Sequence, residues 1–320
     1  WYHAYAPPPD AERASLSLLQ ALNADDQTQG ISWPDSDDDG DDDGLSAAEV
    51  AHLSSFINPS YLAPEALAAV AERFDDQLSV QLRDFLQPQH ASAVQKEAER
   101  ADAKDSLGQS HLPEYAAGTH PDSQWQPCGP PIKQRFLKFR KRSRKPPARA
   151  SSSASDAVGD LLSSIQKSLF ESEAFIHYLQ VVTGCRIQPH SSEVRRFRPG
   201  LDYTVAHHGQ LSKESWLSST LTFVDDTSKS KAELWQSEEV GGFDCFLSAD
   251  KDGEAATAEV YRPNKEEDND LLSICAITNT LNLVLRGPAR MHFTKYVSAS
   301  APGSRWDIRA EYQVAPESDA

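Results

Sequence analysis

A chain of 320 residues, 39% of them hydrophobic, can bury a sizeable core in one large domain or two of medium size. Lysine and arginine number 31 against 48 aspartates and glutamates, a formal net charge of −17, so the average surface repels a phosphate backbone and argues against nucleic acid as a direct ligand. Cys128, Cys185, Cys245 and Cys275 form no CxxC pair, which fits reduced thiols in an intracellular protein; no apolar run nears the roughly 18 residues of a membrane span, and no secretory signal precedes the fold.

The sequence opens Trp1-Tyr2-His3 and its only methionine is Met291, so it reads as processed or cut from a longer protein. Residues 1–45 read as a linker, with a short helical pattern, SLSLLQALN, and then the acidic run PDSDDDGDDDG (34–44), expected to be solvated. From Asp39 this run matches a calcium loop at Asp39, Asp41, Asp43 and Gly44, but the position that needs a bidentate acid is Val50 and Glu49 falls one residue early. Ser46 and Glu49 have capping-box spacing at the start of a helix. LAPEALAAVAERF (62–74) carries Pro64 near its start and Leu67, Val70 and Phe74 on one face, and SVQLRDFL and HASAVQKEAERADAK continue the helical register. Helices are thus placed over about 46–105, and again over about 156–184, where ESEAFIHYLQVVTG ends at Gly184 as a helix should. Between them lie PPIKQRFLKF and the basic tract RKRSRKPPARASSSAS (140–155), read as a flexible exposed insertion with the composition of a nuclear-import signal or of a patch for an acidic partner.

Beyond Cys185 the pattern becomes short and β-rich over about 185–314: VRRF, DYTVAHH, STLTFV, FDCFL, AEVYR, LNLVL, MHFTKYV and DIRAEYQV. Many short strands with no helices between them predict an antiparallel sandwich or jelly roll, and the class is α+β, mainly β, with the leading helices on one outer face. Pro199-Gly200 suits a tight turn and Gly241-Gly242 a bulge or a close backbone approach.

DYTVAHHGQ (202–210) raises the question of a metal, because iron oxygenases hold their ion with two histidines and one carboxylate. The residue two after His207 is Gly209 and two after His208 is Gln210, so no acid follows. Asp202, five residues before His207, points to the opposite face of an extended strand. His292 could serve as a distal histidine, yet two imidazoles without an acid make a weak site, and the only literal His-x-Asp, His120-Pro121-Asp122, lies in a polar loop. No G-x-S-x-G elbow, Walker loop, G-x-G-x-x-G or H-E-x-x-H is present. Arg195, Arg196, Arg198, Lys295, Arg305 and Trp306 bring cations and an aromatic ring to strand ends, either as a basic patch facing a partner or as internal ion pairs and cation–π contacts.

Longer stretches are more specific. EVRRFRPGLDYTVAH (193–207), LWQSEEVGGFDCFLSAD (234–250) and HFTKYVSASAPGSRWDI (292–308) carry a resemblance, with support from FINPSYL (56–62), the segment 129–139, LLSICAITNTLNLVLR (271–286) and the opening WYH. The sequence resembles the C-terminal domain of eukaryotic two-jelly-roll prolyl hydroxylases that depend on 2-oxoglutarate and iron and modify a small-ribosomal-subunit protein. The resemblance implies a degenerate double-stranded β-helix over 46–320, the degradation-type copy, with 1–45 linking it to an N-terminal catalytic domain that binds Fe2+, 2-oxoglutarate and ascorbate. It implies no catalytic, cofactor or metal residue here, and a regulatory role tied to translation termination and oxygen sensing in nucleus and cytoplasm. Its implied partners are the catalytic domain and regulatory or ribosome-associated proteins. The alternatives are an oxygenase in its own right through His207 and His292, and an unrelated ligand-binding jelly roll.

Overall fold

The computed structural model describes residues 44–120, 123–140, 154–248, 272–288 and 290–316. The acidic run before Gly44, most of the basic tract, Asp122 of the His-x-Asp triplet and the expected strand AEVYR lie outside the described residues.

The first helix, α1 (Ala47–Leu53), starts as its sequence predicts. The Glu49 amide donates to the Ser46 hydroxyl, and the Glu49 carboxylate accepts the Ser46 N–H at 2.8 Å, which satisfies two of the amides a helix start leaves open. The residue that would have to close the calcium loop, Val50, is therefore inside a helix. Pro64 begins α2 (Pro64–Gln77), where a missing N–H costs nothing, and Leu67 and Phe74 face the core.

SVQLRDFL departs from its expected helix. Leu78 takes a left-handed conformation, φ 54°, closing α2 with its N–H on the Phe74 carbonyl, and the chain turns at once into strand β1 (Ser79–Leu82). Val80 and Leu82 are buried two residues apart, so a period of two wins over helical continuation. After α3 (Pro88–Lys104), strands β2 (Trp125–Cys128) and β3 (Gln134–Phe139) form a hairpin, so the sheet begins well before residue 185. The second helical block is α4 (Ala154–Ile165), one π-type turn over Gln166–Phe170, and α5 (Glu173–Thr183), ended by Gly184 in the left-handed region.

The β-rich half contributes β4 (Ile187–Phe197), β5 (Tyr203–Thr204), β6 (Trp216–Phe223), β7 (Asp244–Ser248), β8 (Leu272–Ile274), β9 (Thr280–Arg286), β10 (Arg290–Thr294) and β11 (Arg305–Val314). A further helix, α6 (Lys229–Gln236), interrupts the strands, where Ser228 offers a cap. DYTVAHH, expected as one strand, is extended only over Tyr203–Thr204 and then leads into a short turn, His208–Gln210. One antiparallel sheet runs β1-β9-β6-β11-β4-β3-β2, with β5 on β3; the other runs β10-β7-β8. The fold is an α+β, mainly β, jelly roll of the double-stranded β-helix type.

The main core lies between the large sheet and the helices. Leu217, Leu221, Leu281, Leu283, Ile308 and Tyr312 present one sheet face to Phe74, Val94, Leu162 and Phe175 from α2 to α5. Two polar tips are satisfied there: Trp125 Nε1 donates to the Ser155 carbonyl at 2.8 Å and the Tyr312 hydroxyl to the Phe170 carbonyl at 3.0 Å. The seam between α4 and β3 is tight, since a Cβ on Gly159 would come within 2.2 Å of the Phe139 ring. Gly159→Ala is expected to lower the urea-unfolding free energy by about 1–3 kcal/mol through overpacking. Gly287→Ala, where an added Cβ meets nothing within 4 Å, should leave the unfolding midpoint in place.

Candidate functional site

Strand β11 shows what lies between the two sheets. Its even residues, Trp306, Ile308, Ala310 and Tyr312, face the helical layer, so its odd residues, Arg305, Asp307, Arg309 and Glu311, face the other way. On a sheet with one wet side those charges would meet water. Here the small sheet covers them, and Arg305, Asp307 and Glu311 are buried. Register adds the neighbours on the same face: Asp307 is opposite Thr222 and Arg195, Arg309 opposite Thr220 and Glu193, and Asn282 opposite Thr220. From the small sheet come Asp244 and Phe246 on β7, paired with Thr294 and His292 on β10.

Charge inside a protein must be matched. Arg195 donates from Nε and Nη2 to the two carboxylate oxygens of Asp307, at 2.7 and 3.0 Å, a bidentate pair. Arg305 reaches Asp307 Oδ2 at 3.0 Å and crosses to the small sheet, donating to Asp244 Oδ2 at 2.7 Å and to the Gly242 carbonyl at 2.6 Å. Gly241 and Gly242 both have positive φ, and a Cβ on Gly241 would lie 1.9 Å from the Tyr296 carbonyl oxygen, so the expected close approach is met and glycine is required. Glu311 accepts from Arg309 Nη2 at 2.6 Å, Arg286 Nη2 at 2.6 Å and the Ser218 hydroxyl at 3.0 Å. Glu193, 3.9 Å from Arg195 and bonded to Lys138 at 2.9 Å, completes the inner row.

The pKa directions follow from this matching. Burial alone would raise Asp244, but the Arg305 charge holds it well below the usual carboxylate range. Burial is likewise overridden at Glu311, which Arg309 and Arg286 pull down to about 2. His292 goes the other way: burial, reinforced by Arg309, lowers it to about 4, so its imidazole is neutral at neutral pH. Its ring stacks on Phe246 with centroids 4.5 Å apart, and Nε2 lies 3.3 Å from Asp244 Oδ1 without hydrogen-bond alignment. That oxygen also accepts the Thr294 hydroxyl at 2.9 Å.

Two more arginines are spent elsewhere. Arg196 faces the helices, donating to Asp102 at 2.8 Å and Asp105 at 2.7 Å on or just after α3, with its guanidinium 4.3 Å from the Trp306 ring. Arg198 forms a bidentate pair with Asp202, at 2.7 and 2.9 Å. Of the six residues singled out at strand ends, Arg195, Arg196, Arg198, Arg305 and Trp306 are buried, and only Lys295 is exposed. For the five buried residues the reading as a basic patch facing a partner is therefore corrected: they form internal ion pairs and cation–π contacts that fix the strands. Asp244, Asp307, Arg309 and Glu311 were not singled out from sequence, although RWDIRAE places charges at 305, 307, 309 and 311 with strand periodicity.

Among the described residues the histidines do not assemble an iron site. His207 is half-buried ahead of the short turn, and the link from this stretch to His292 is Gln210, whose Oε1 accepts the His292 N–H at 3.3 Å. Both oxygens of Asp202 are occupied by Arg198, and those of Asp244 by Arg305 and Thr294. His120 is exposed, 3.7 Å from Asp105. Among the described residues no group of three or more His, Cys, Asp or Glu is placed to hold a metal ion, and the residues present do not fit a two-histidine, one-carboxylate centre.

Two outcomes test the lumen. Asp307→Ala takes the bidentate carboxylate from the buried Arg195 guanidinium, while Arg305 keeps Asp244, and is expected to cost on the order of 3–5 kcal/mol of unfolding free energy in urea titrations. For His292, the folded pKa of about 4 lies below the ordinary 6.5, so the unfolded chain takes up the proton first. Stability should be full above pH 6.5 and fall by about 3 kcal/mol as pH drops to 4; His292→Gln should flatten this limb, leaving the carboxylate limb between about 4.5 and 2 from Glu311.

The family described as the oxoglutarate and iron-dependent oxygenase degradation C-terminal domain matches residues 48–320. The chain is 37% identical over 265 residues to the prolyl 3,4-dihydroxylase OGFOD1 of Ostreococcus tauri, covering 83% of this chain and 48% of that protein. It is 23% identical over 273 residues to the prolyl 3-hydroxylase OGFOD1 of Xenopus laevis, covering 77% of this chain and 43% of the relative. The chain thus spans about half the length of these relatives. Among solved structures, a Pseudomonas putida prolyl-4-hydroxylase overlays 78% of this chain and 99% of its own at 14% identity and a TM-score of 0.40, too distant to locate any residue. The chain belongs to the degradation-type C-terminal domain family of the oxoglutarate- and iron-dependent prolyl hydroxylases.

Proposed function

We propose that this chain is the non-catalytic half of a prolyl hydroxylase that modifies a ribosomal protein, acting as a structural and protein-interaction module. In this reading Fe2+, 2-oxoglutarate and ascorbate belong to an N-terminal catalytic domain, and this domain meets that domain and regulatory or ribosome-associated proteins in nucleus and cytoplasm, in the control of translation termination and oxygen sensing. The observation that carries it is the internal charge balance of the lumen. Among the described residues, Arg195, Arg286, Arg305, Arg309 and Lys138 each have a carboxylate partner in Glu193, Asp244, Asp307 or Glu311, and each of these carboxylates is engaged by a cation, which argues against a free cation for a dicarboxylate co-substrate and a free carboxylate for a metal. A lumen so filled keeps the sheets together and leaves the outer surface as the place where function resides.

Anaerobic calorimetric titration of the chain with Fe(II), with and without 2-oxoglutarate, tests the proposal. The expected outcome is no stoichiometric binding, and identical traces for the parent and His207→Ala. Saturable one-to-one binding that His207→Ala abolishes would instead make the chain a dioxygenase in its own right.

A further inference from the structure

One rim of the barrel exposes large apolar side chains that nothing in the lumen or the helical core requires. Leu112 and Tyr115 are each 70% exposed, Ile132 61% and Tyr296 41%. They form one surface. Leu112 packs against the Pro199-Gly200 turn, where a Cβ on Gly200 would lie 3.1 Å from its side chain. The Tyr115 ring covers the Arg135 guanidinium at 3.9 Å, and Arg135 is paired across β3 and β5 with Tyr203. The Tyr203 hydroxyl donates to the carbonyl of Pro131, next to Ile132, at 2.6 Å, and its ring lies 6.4 Å from that of Tyr296.

Arg135 differs from the other arginines of this region. Its side chain is only 16% exposed, and its one carboxylate neighbour among the described residues is Asp202, 3.6 Å from Nε. Asp202 is already saturated: Oδ1 accepts Arg198 Nη2 at 2.9 Å, and Oδ2 accepts Arg198 Nε at 2.7 Å and the Arg198 amide at 2.9 Å. Two guanidinia therefore share a single negative charge, and Arg135 Nη2 is buried with no hydrogen-bond partner among the described residues. A desolvated cation that lacks its own counter-charge attracts an anion, and the aromatic ledge beside it supplies apolar contact without loss of further rotamer freedom. In a chain of net charge −17, this local excess of positive charge selects for a partner of the opposite sign at this point.

We propose that the Tyr115, Arg135, Tyr203 and Tyr296 rim is a docking surface for an extended segment of a partner protein that presents an acidic side chain to Arg135 and apolar residues to the tyrosines and Ile132. The assignment rests on the reading of this chain as an interaction module and names the surface and the chemistry of the partner. A neutral apolar segment would leave Arg135 as it is, and a basic one would be repelled by it.

Fluorescence anisotropy with the whole chain tests this, using a labelled peptide of about a dozen residues in which glutamate alternates with proline and leucine, and matched peptides with glutamine or lysine in place of each glutamate. Expected are saturable binding of the glutamate peptide, weakening with added salt, and a loss of ~10-fold or more in Arg135→Gln and in Tyr115→Ala. Tyr115 is surface-exposed, so Tyr115→Ala keeps the fold and decides the matter should Arg135→Gln unfold by circular dichroism. No saturation at millimolar peptide, equal binding of the glutamine peptide, or unchanged binding by Tyr115→Ala would each overturn the assignment. Failure here with no iron uptake in the titration above removes only this surface; iron uptake removes the reading on which it rests.

Discussion

The constraint on which this fold depends is that a charge taken out of water needs a partner of the opposite sign within hydrogen-bonding distance. The inner face of the large sheet carries arginines and carboxylates among threonines and Asn282, and the small sheet closes over it with Asp244 answering Arg305 across the gap and Phe246 and Ile274 packing on Val284. Such pairs are weak sources of net stability but strong sources of specificity, since any other register would strand several ions at once. A shift of β11 by one residue against β4 or β6 would put Trp306 and Ile308 into the charged lumen and Asp307 against the helices. The ion pairs and the apolar layer therefore select the same arrangement from opposite faces of one strand.

The two layers are also fastened to each other. Asp102, near the end of α3, accepts from Arg196 on β4 and from both the amide and the hydroxyl of Ser304, just ahead of β11. Arg196 in turn lies on the Trp306 ring, and Trp306 packs against Trp125 of the β2 and β3 hairpin with centroids 5.3 Å apart. Helix, hairpin and central strands thus meet around one guanidinium.

Much of the architecture was legible in the sequence where local chemistry and tertiary packing agree. Ser46 with Glu49, Pro64 at a first helical turn and Gly184 after a last one each satisfy a backbone need that does not depend on the rest of the chain. The jelly roll followed from period-two patterning, and the family from long matched stretches. What was not legible depended on distant groups. SVQL reads as helix until Leu78 turns left-handed and β9 offers an edge to pair with. DYTVAHH reads as a strand, yet Asp202 is drawn to Arg198 and the chain turns after Thr204. The arginines at strand ends could be counted but not oriented, because whether a guanidinium meets water or an aspartate is decided by the sheet that covers it.

The fastening at Asp102 bears on how the chain would tolerate being cut. The stretch between α3 and β2 separates the two ends of the Arg196 pair along the sequence, and a break there would give two pieces, one holding the carboxylates of Asp102 and Asp105 and the other the guanidinium. Each piece alone would carry an unmatched ion on an apolar face. That shared deficit makes the domain a natural candidate for reassembly from separately produced fragments, with recombination rather than independent folding as the favourable course.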